Sequence, residues 1–138
     1  MEGPHPGPLP GGEGEDCLVE AAARYRGNAV SKRSGFSVGA AIEDETGKIW
    51  GGCNVENSTY GLTVCAERVA IWKALSEGVR KFRAVAVVTG ADAPTPPCGA
   101  CRQILWEFAG DVPIVMATTA GTRKRFLLSD LFPEPFDF

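Results

Sequence analysis

The sequence predicts an α/β domain in which helices cover both faces of a mixed sheet of about five strands. Helix-like and strand-like patterns alternate along the chain in the order helix, two strands, helix, strand, helix, strand, an order that builds layered α/β folds. Residues 44–47 read DETG, a turn sequence that joins the first two strands as a hairpin. The 138 residues suit one hydrophobic core. We therefore expect a three-layer α/β/α sandwich.

The beginning of the chain differs in composition from the rest. Residues 1–15 consist mainly of glycine, proline and glutamate, and such a segment buries too little apolar surface to offset the entropy of ordering it. We expect a disordered tail over residues 1–15 and a single domain over residues 16–138. The domain should open with a helix capped by Asp16, because Leu18 and Ala22 recur at helical spacing.

The later elements follow from apolar runs and the glycines that end them. Strands are predicted where β-branched and small apolar residues cluster, and helices where apolar residues recur every three or four positions. Gly78 and Gly110 each follow a predicted helix, a position that favours glycine. The expected strands cover residues 36–43, 48–55, 82–89, 112–118 and 125–128, and the expected further helices cover residues 65–77 and 98–109.

Composition restricts the class of partner. The net charge is −3, whereas a protein that grips a phosphate backbone usually presents a basic face. The one basic cluster, residues 123–125, is expected to form a solvated turn. No stretch approaches the roughly 18 apolar residues needed to span a bilayer. We expect neither a nucleic-acid partner nor a membrane partner.

The cysteines and the single histidine narrow the chemistry further. Five cysteines are an odd number, which fits poorly with a paired disulfide framework and favours metal binding or catalysis in a cytoplasmic chain. The first residues carry neither a basic leader nor an apolar run, so the cytoplasm is the expected compartment. The only histidine is His5, inside the predicted tail. Triads and dyads that need histidine are therefore not expected in the folded domain.

The strongest local signal is the sequence PCGAC at residues 97–101. Cys98 and Cys101 lie three positions apart at the start of a predicted helix, so both sulfurs can reach one tetrahedral ion. The helix N-terminus also favours thiolates. The same spacing occurs in thioredoxin-like redox motifs, but those usually follow a strand directly, whereas a proline-rich loop precedes this one.

A third cysteine stands at the start of the preceding helix. If the two helices point their N-termini at one spot, Cys65 joins Cys98 and Cys101 as ligands and leaves one position open for water, as in catalytic zinc sites. A closed structural site would need a fourth cysteine. Cys17 and Cys53 are the remaining candidates, but each is more often a buried apolar thiol.

Two residues next to Cys65 can assist the metal without binding it. Glu67 should point beside the ion, where a proton shuttle must stand; otherwise it is a first-turn glutamate favoured by the helix dipole. Three thiolates leave Zn²⁺ with a net charge of about −1, which weakens its effect on bound water. Arg68 could offset this by donating hydrogen bonds to the sulfurs; the alternative is a surface arginine.

These residues resemble the cytidine deaminase family, specifically its small homotetrameric branch with three zinc cysteines. The zinc deaminase pattern H-x-E…P-C-x-x-C appears here as CAE followed by PCGACRQ, with cysteine at the histidine position. Four stretches extend the resemblance over nearly everything after the predicted tail: FSVGAA at 36–41, GCNVEN at 52–57, CAERVA at 65–70 and LFPEPF at 131–136.

The resemblance implies hydrolytic deamination of cytidine-like or deoxycytidine-like nucleosides to uridine-like products and ammonia. One Zn²⁺ per chain, held by Cys65, Cys98 and Cys101, would supply a zinc-bound hydroxide, and Glu67 would move the protons.

The resemblance also implies a set of substrate contacts. Asn54 and Glu56 match residues that bind the ribose hydroxyls, and Phe36 matches an aromatic that packs on the pyrimidine ring. The backbone near Ala66 could hold the base edge. Phe136 matches an aromatic that a neighbouring subunit of the homotetramer lends to the site. By sequence alone, Asn54 and Glu56 are polar residues at a strand end and Phe36 is an ordinary core phenylalanine.

One stretch departs from the family pattern. The family usually reads A-P-Y-S-x-F, whereas residues 31–36 read SKRSGF, so Lys32 and Arg33 replace a proline and a tyrosine near the pocket mouth. A roomier entrance with a positive rim would favour N4-substituted cytidines or cytosine-nucleoside antibiotics as alternative substrates. Two other classes are a polynucleotide deaminase, disfavoured by the acidic balance, and a non-enzymatic zinc-stapled interaction module, which would need four protein ligands.

Overall fold

The computed structural model describes residues 12–136, and its elements follow the predicted order. Strand and helix boundaries lie within a few residues of those expected. The strands are β1 (Val38–Asp44), β2 (Ile49–Cys53), β3 (Phe82–Thr89), β4 (Pro113–Thr118) and β5 (Arg123–Leu127). The helices are α1 (Glu13–Arg26), α2 (Ala66–Ser76), α3 (Gly99–Ala109) and α4 (Leu128–Leu131), with a short 3₁₀ helix at Tyr60–Leu62.

The five strands form one mixed sheet in the order β2-β1-β3-β4-β5. The hairpin partner β2 and the central strand β3 both run antiparallel to β1, while β3 and β4 are parallel and β5 is antiparallel to β4. A parallel pair needs a crossover connection, and α3 lies between β3 and β4 in sequence. The expected mixed sheet of about five strands is confirmed.

The helices lie on both faces of this sheet, as a three-layer sandwich requires. Successive side chains of a strand point to opposite faces, and the buried residues divide accordingly into two clusters. On one face α1 packs against small side chains of the central strands, including Ala41, Ala86 and Ala117. On the other face α2 and α3 cover larger side chains, including Val87 and Ile114.

Small residues allow α1 to lie close to the sheet. A Cβ atom added to Gly39 in β1 would lie only 1.9 Å from the carbonyl oxygen of Ala22 in α1. Glycine is therefore required here by the approach of two backbones, since any side chain would push the helix away. Among residues 12–136, no helix combines the length and the apolar character that crossing a bilayer requires.

The first helix begins earlier than the sequence indicated. It starts at Glu13 with Gly12 at the N-cap position, so residues 13–15, expected in the disordered tail, are helical, and Asp16 is not the cap. The reason is a long-range contact, because the buried carboxylate of Glu15 pairs with Arg123 and Arg125 of β5. The rest of the expected tail, residues 1–11, lies outside the described residues.

The arginines that pair with Glu15 also differ from expectation in their secondary structure. The basic cluster at residues 123–125 was expected in a solvated turn, but it forms the first part of β5, which pairs with β4. The strand ends one residue earlier than expected, because Leu128 is buried as the first residue of α4.

Candidate active site

Three cysteine sulfurs meet where the first turns of two helices converge. Cys65 is the N-cap residue of α2, and Cys98 is the N-cap residue of α3. Their Sγ atoms are 3.9 Å apart, and these two sulfurs and that of Cys101 all lie within 4.8 Å of one another. Zinc–sulfur bonds of about 2.3 Å in tetrahedral geometry place sulfurs about 3.8 Å apart. The three side chains therefore fit one zinc ion.

The other two cysteines do not belong to this cluster. Cys17 is exposed on α1, on the opposite face of the sheet, and Cys53 lies in β2. Within residues 12–136, the cluster thus offers three sulfurs rather than the four that a closed structural site requires. The third sulfur, from Cys65, also favours a metal site over a two-cysteine redox motif.

Close packing of α2 on β2 fixes the position of Cys65 and Glu67. A Cβ atom added to Gly52 would lie 2.6 Å from the carbonyl oxygen of Ala66 and 2.6 Å from the amide nitrogen of Ala70. Glycine at this position therefore lets the first turn of α2 rest directly on the strand. Lys73 also connects α2 to β2, because its Nζ donates a 2.6 Å hydrogen bond to the carbonyl oxygen of Gly51.

A cavity of about 310 Å³ opens beside the sulfurs. It lies near the carboxyl end of β3, where open α/β sheets commonly bind ligands. The residues expected at the site that line it are Phe36, Asn54, Glu56, Cys65, Ala66, Glu67 and Cys98. Cys101 is buried and is not part of the lining, so it approaches the sulfur cluster from inside the protein.

The sequence did not point to the other eight of the fifteen lining residues. The additional residues are Ser34, Val38, Thr63, Val64, Val87, Thr89, Thr95 and Pro96. Thr89 could have been found, because it ends a buried strand just before the proline-rich loop that leads to Cys98. Ser34 and Thr63 carry no comparable signal, since loops bring them to the cavity.

Glu67 is the buried carboxyl group of the site. Only 6% of the residue is exposed. Burial raises its pKa to about 7, and the negative charge of Cys65 acts in the same direction. A carboxyl group with such a pKa can both accept and donate a proton near neutral pH, as general acid–base catalysis requires.

Arg68 contacts the sulfur cluster rather than open solvent. Its Nη2 donates a 3.3 Å hydrogen bond to the sulfur of Cys65, and its guanidinium lies 5.9 Å from the ring centre of Trp72. The buried Nε has no hydrogen-bond partner within residues 12–136. Hydrogen bonds from the Cys101 thiol and from Arg68 lower the pKa of Cys65 to about 5, although burial opposes them. The thiolate, which is the form that binds zinc, is therefore favoured.

Asn54 braces the loop that carries Phe36. Its Oδ1 accepts a 2.9 Å hydrogen bond from the Val38 amide, and its Nδ2 donates one of 2.9 Å to the carbonyl oxygen of Phe36. The side chain was expected at the ribose, and it does line the cavity, but its polar atoms are largely used in holding this loop.

Glu56 is held by the same loop. Its carboxylate accepts hydrogen bonds from the Ser34 hydroxyl at 2.5 Å, from the Ser34 amide at 3.0 Å and from the Arg33 amide at 3.1 Å. The bond from the Ser34 hydroxyl is the main cause that holds the pKa of Glu56 below its usual range. Glu56 therefore presents an ionised carboxylate to the cavity.

Phe136 does not line the cavity of its own chain. Its backbone pairs with the side chain of Gln103 in α3, which donates to its carbonyl oxygen at 2.9 Å and accepts from its amide at 3.1 Å. Arg102 holds the same segment through a hydrogen bond to the carbonyl oxygen of Leu131. These bonds hold the C-terminal segment along α3, and Phe136 itself is 66% exposed.

The sheet, the three sulfurs and the adjacent buried glutamate together define a zinc-binding deaminase domain. Comparison with known families agrees, because the family model described as "Cytidine and deoxycytidylate deaminase zinc-binding region" matches residues 14–118. The chain belongs to the cytidine and deoxycytidylate deaminase family, and its three-cysteine cluster fits the one zinc ion per chain that such a zinc-binding region requires.

Individual relatives are similar over most of the chain. A cytidine deaminase from Sporosarcina psychrophila is 43% identical over 120 residues, which cover 86% of this chain and 88% of the relative. The crystal structure of cytidine deaminase from Burkholderia pseudomallei superposes with a TM-score of 0.85 at 42% identity, covering 88% of this chain and 98% of that one. A blasticidin-S deaminase from Bacillus cereus is 31% identical over 104 residues, covering 70% of this chain and 74% of the relative.

Proposed function

We propose that this chain is a zinc-dependent enzyme that hydrolyses cytidine or deoxycytidine to the corresponding uridine and ammonia. The observation that carries the proposal is the meeting of three sulfurs and the buried carboxyl group of Glu67 at one cavity. The cavity volume of about 310 Å³ falls in the range typical of small-molecule sites. The resemblance to cytidine deaminases over nearly nine tenths of the chain supports the same reaction.

Proton transfer is the task that the chain itself must perform. Zinc bound by the three cysteines lowers the pKa of water. Glu67 takes a proton from the attacking water and delivers it to N3 of the base, which makes C4 more electrophilic. It then passes a second proton from the added oxygen to the amine, which leaves C4 as ammonia. Burial suits Glu67 to both roles, because its raised pKa allows either protonation state near neutral pH.

Other residues orient the substrate. Phe36 supports the flat face of the base, and the backbone at Ala66 holds its edge. Glu56 accepts from the sugar hydroxyls in place of one of its four present donors, of which the 3.3 Å bond from Nδ2 of Asn54 is the longest. Asn54 acts mainly by holding the Phe36 loop against the cavity.

We place this reaction in the cytoplasm, in nucleoside salvage. None of the five cysteines, all of which lie within residues 12–136, is in a disulfide, which suits a reducing compartment. The substrate is a small molecule, so neither a nucleic acid nor a membrane is needed as a partner.

The test is conversion of the cytosine ring to the uracil ring by the zinc-loaded protein across a panel of cytosine compounds, followed by absorbance and chromatography. This readout serves both cytidine, which releases ammonia, and N4-substituted cytidines, which release the substituted amine. We expect rapid conversion of cytidine and deoxycytidine, slower conversion of N4-substituted cytidines and none of a single-stranded oligonucleotide. No conversion of any nucleoside would refute the proposal. Faster conversion of N4-substituted compounds would instead favour the modified-nucleoside alternative, which the lower identity to the blasticidin-S deaminase already disfavours.

We also propose that the active enzyme is a homotetramer in which a neighbouring subunit supplies Phe136. Large apolar side chains are exposed around the fold, including Tyr60 at 75% and Leu62 at 66%, and exposed apolar surface of this kind favours assembly. Phe136 matches an aromatic that a neighbouring subunit lends to the site, and it does not line the cavity of its own chain.

Subunit mixing tests this assembly. Phe136→Ala alone should raise KM while zinc stays bound, and Glu67→Gln alone should be nearly inactive. Mixed subunits should recover activity, because an intact ring and an intact carboxylate then meet in one pocket. The matched control mixes Phe108→Ala with Glu67→Gln, since Phe108 is also exposed but lies outside the cavity. A monomer in light scattering, or no recovery on mixing, would refute the shared site.

A further inference from the structure

Two threonine hydroxyls in the cavity take no part in the proposed reaction. Thr89 ends β3, and Thr95 lies in the proline-rich loop that leads to Cys98. Both residues line the cavity beside the apolar side chains of Val38 and Val87. Their hydroxyl oxygens are 3.2 Å apart and share a hydrogen bond. Thr89 is fully buried, whereas Thr95 is only partly buried, so this threonine pair places polar groups inside the cavity.

The threonine pair has more hydrogen-bonding capacity than its contacts within residues 12–136 use. Each hydroxyl offers one donor and two acceptor lone pairs, and only one hydrogen can lie between the two oxygens. The hydroxyl of Thr89 also accepts a 3.3 Å hydrogen bond from the amide of Ala91. One O–H of the pair and the lone pairs of Thr95 therefore remain available to a ligand.

The order of the strands places the threonine pair on the side of the cavity away from α2. In the sheet, β2 and β3 flank β1 on opposite sides. The first turn of α2, which carries Ala66 and Glu67, rests on β2 at Gly52. Thr89 belongs to β3, and the loop with Thr95 follows that strand. Because the cavity is lined from both sides, a bound base lies between the α2 turn and the threonine pair.

Reaction at C4 fixes how the base lies between these two walls. Glu67 delivers a proton to N3, so the N3 edge of the ring faces α2. C5 is bonded to C4 on the side away from N3, so the C5 edge faces the threonine pair. N1 carries the sugar and lies across the ring from C4, on the side of Glu56. Lys32 and Arg33 line a recess beside Glu56 and not the cavity, so they flank the sugar, and the expected link between these cations and N4 substituents finds no support.

We propose that Thr89 and Thr95 are specificity-determining residues that favour a hydrogen-bonding group on C5 of the base over an apolar group of similar size. The inference rests on the proposed function, because the orientation of the base follows from reaction at C4. In cytidine C5 carries only hydrogen, and water can reach the partly buried hydroxyl of Thr95. A 5-methyl group displaces such a water without replacing its hydrogen bonds, whereas a 5-hydroxymethyl group can both donate and accept one.

The experiment compares 5-hydroxymethylcytidine with 5-methylcytidine as substrates of the zinc-loaded protein, by absorbance and chromatography. The ratio of their kcat/KM values is measured for the unaltered protein and for Thr95→Val, which replaces the hydroxyl with a methyl group in a side chain of the same shape. The two substituents differ in their intrinsic effect on C4, and this difference cancels between the two proteins. We expect the ratio to fall by at least about fivefold in Thr95→Val, the usual effect of losing one hydrogen bond.

Thr95→Ser is the conservative variant, and it should keep most of the preference because it retains the hydroxyl. The matched control is Thr63→Val, which makes the same change at a cavity residue just before α2 and should leave the ratio intact. The inference is wrong if Thr95→Val leaves the ratio unchanged, or if Thr63→Val lowers it equally. Conversion of unmodified cytidine reports on the proposed function separately. Conversion of cytidine without a change of ratio in Thr95→Val refutes only the role of the threonine pair, whereas no conversion of cytidine refutes both.

Discussion

Replacing Glu67 with glutamine should leave the zinc ion bound and lower turnover of cytidine by at least about 10²–10⁴-fold, the usual contribution of general acid–base catalysis. Glutamine keeps the size and the hydrogen-bonding shape of the side chain but cannot exchange a proton. The three cysteine ligands are untouched, and the close packing of α2 at Gly52 is unchanged. The two measurements are kcat from ammonia release and zinc per chain from atomic spectroscopy.

The matched control is Glu77→Gln, at the exposed C-terminal end of the same helix. It makes the same chemical change on α2 and should alter kcat by less than about twofold. If Glu67→Gln keeps more than about a tenth of the activity, Glu67 is not the proton shuttle. If it loses zinc together with activity, its role is to support the metal site and not to move protons.

The chemistry of the site could be predicted from sequence because its essential parts are local. Cys98 and Cys101 share one turn of α3, and Cys65 and Glu67 share one turn of α2, so spacing alone fixes their relative directions. Spacing does not show whether the first turn of α2 and the first turn of α3 lie close together in the fold. The alternation of strands and helices indicates that they do, because the sheet brings the N-termini of both helices to one place.

The remainder of the site depends on contacts that spacing does not reveal. Asn54 and Glu56 line the cavity as expected, yet their hydrogen bonds to residues 33–38 join parts of the chain about twenty positions apart. Phe136 is held along α3 by Gln103. Neither arrangement follows from the periodicity of apolar residues.

The elements of the fold also divide into those that a local sequence pattern predicts and those that depend on distant contacts. A continuous apolar run predicted β3 as residues 82–89, because a central strand is buried on both faces. The start of α1 was misplaced, since its first turn is polar and resembles the tail before it. Its helical structure is tied to arginines more than a hundred positions later, beyond the reach of any local pattern.

Replacing Glu15 with glutamine should lower the thermal midpoint by roughly 8–12 °C. The side chain is fully buried, and its two oxygens accept hydrogen bonds of 2.5 and 2.6 Å from Arg125 and one of 2.8 Å from Arg123. Breaking a fully buried ion pair costs roughly 3–5 kcal/mol. Both arginines are partly exposed and can turn to water, so we expect about 2–3 kcal/mol here, at about 4 °C per kcal/mol for a domain of this size.

The control is Glu20→Gln, which makes the same change on the exposed face of α1 and should shift the midpoint by less than about 2 °C. Arg125→Gln and the double variant complete a mutant cycle, measured at one protein concentration because the proposed assembly would make the midpoint depend on concentration. If the pair is the source of the loss, the double variant will lose clearly less than the sum of the single losses. Additive losses would show that Glu15 stabilises the helix independently of Arg125.

The dependence on pH gives a second, independent check. The hydrogen bonds from Arg125, followed by those from Arg123, hold the pKa of Glu15 below its usual value of 4.5, although burial opposes them. A carboxyl group whose pKa is lowered by folding contributes stability above its unfolded pKa, and this contribution is lost as the pH falls through the folded value. The difference in midpoint between the unaltered protein and Glu15→Gln should therefore be constant near neutral pH and shrink below about pH 4.5. Other carboxyl groups, and any loss of zinc, destabilise both proteins alike at low pH and cancel in the difference. A difference that stays constant down to pH 3 would mean that the charge on Glu15 contributes nothing, and that glutamine destabilises the protein through altered packing alone.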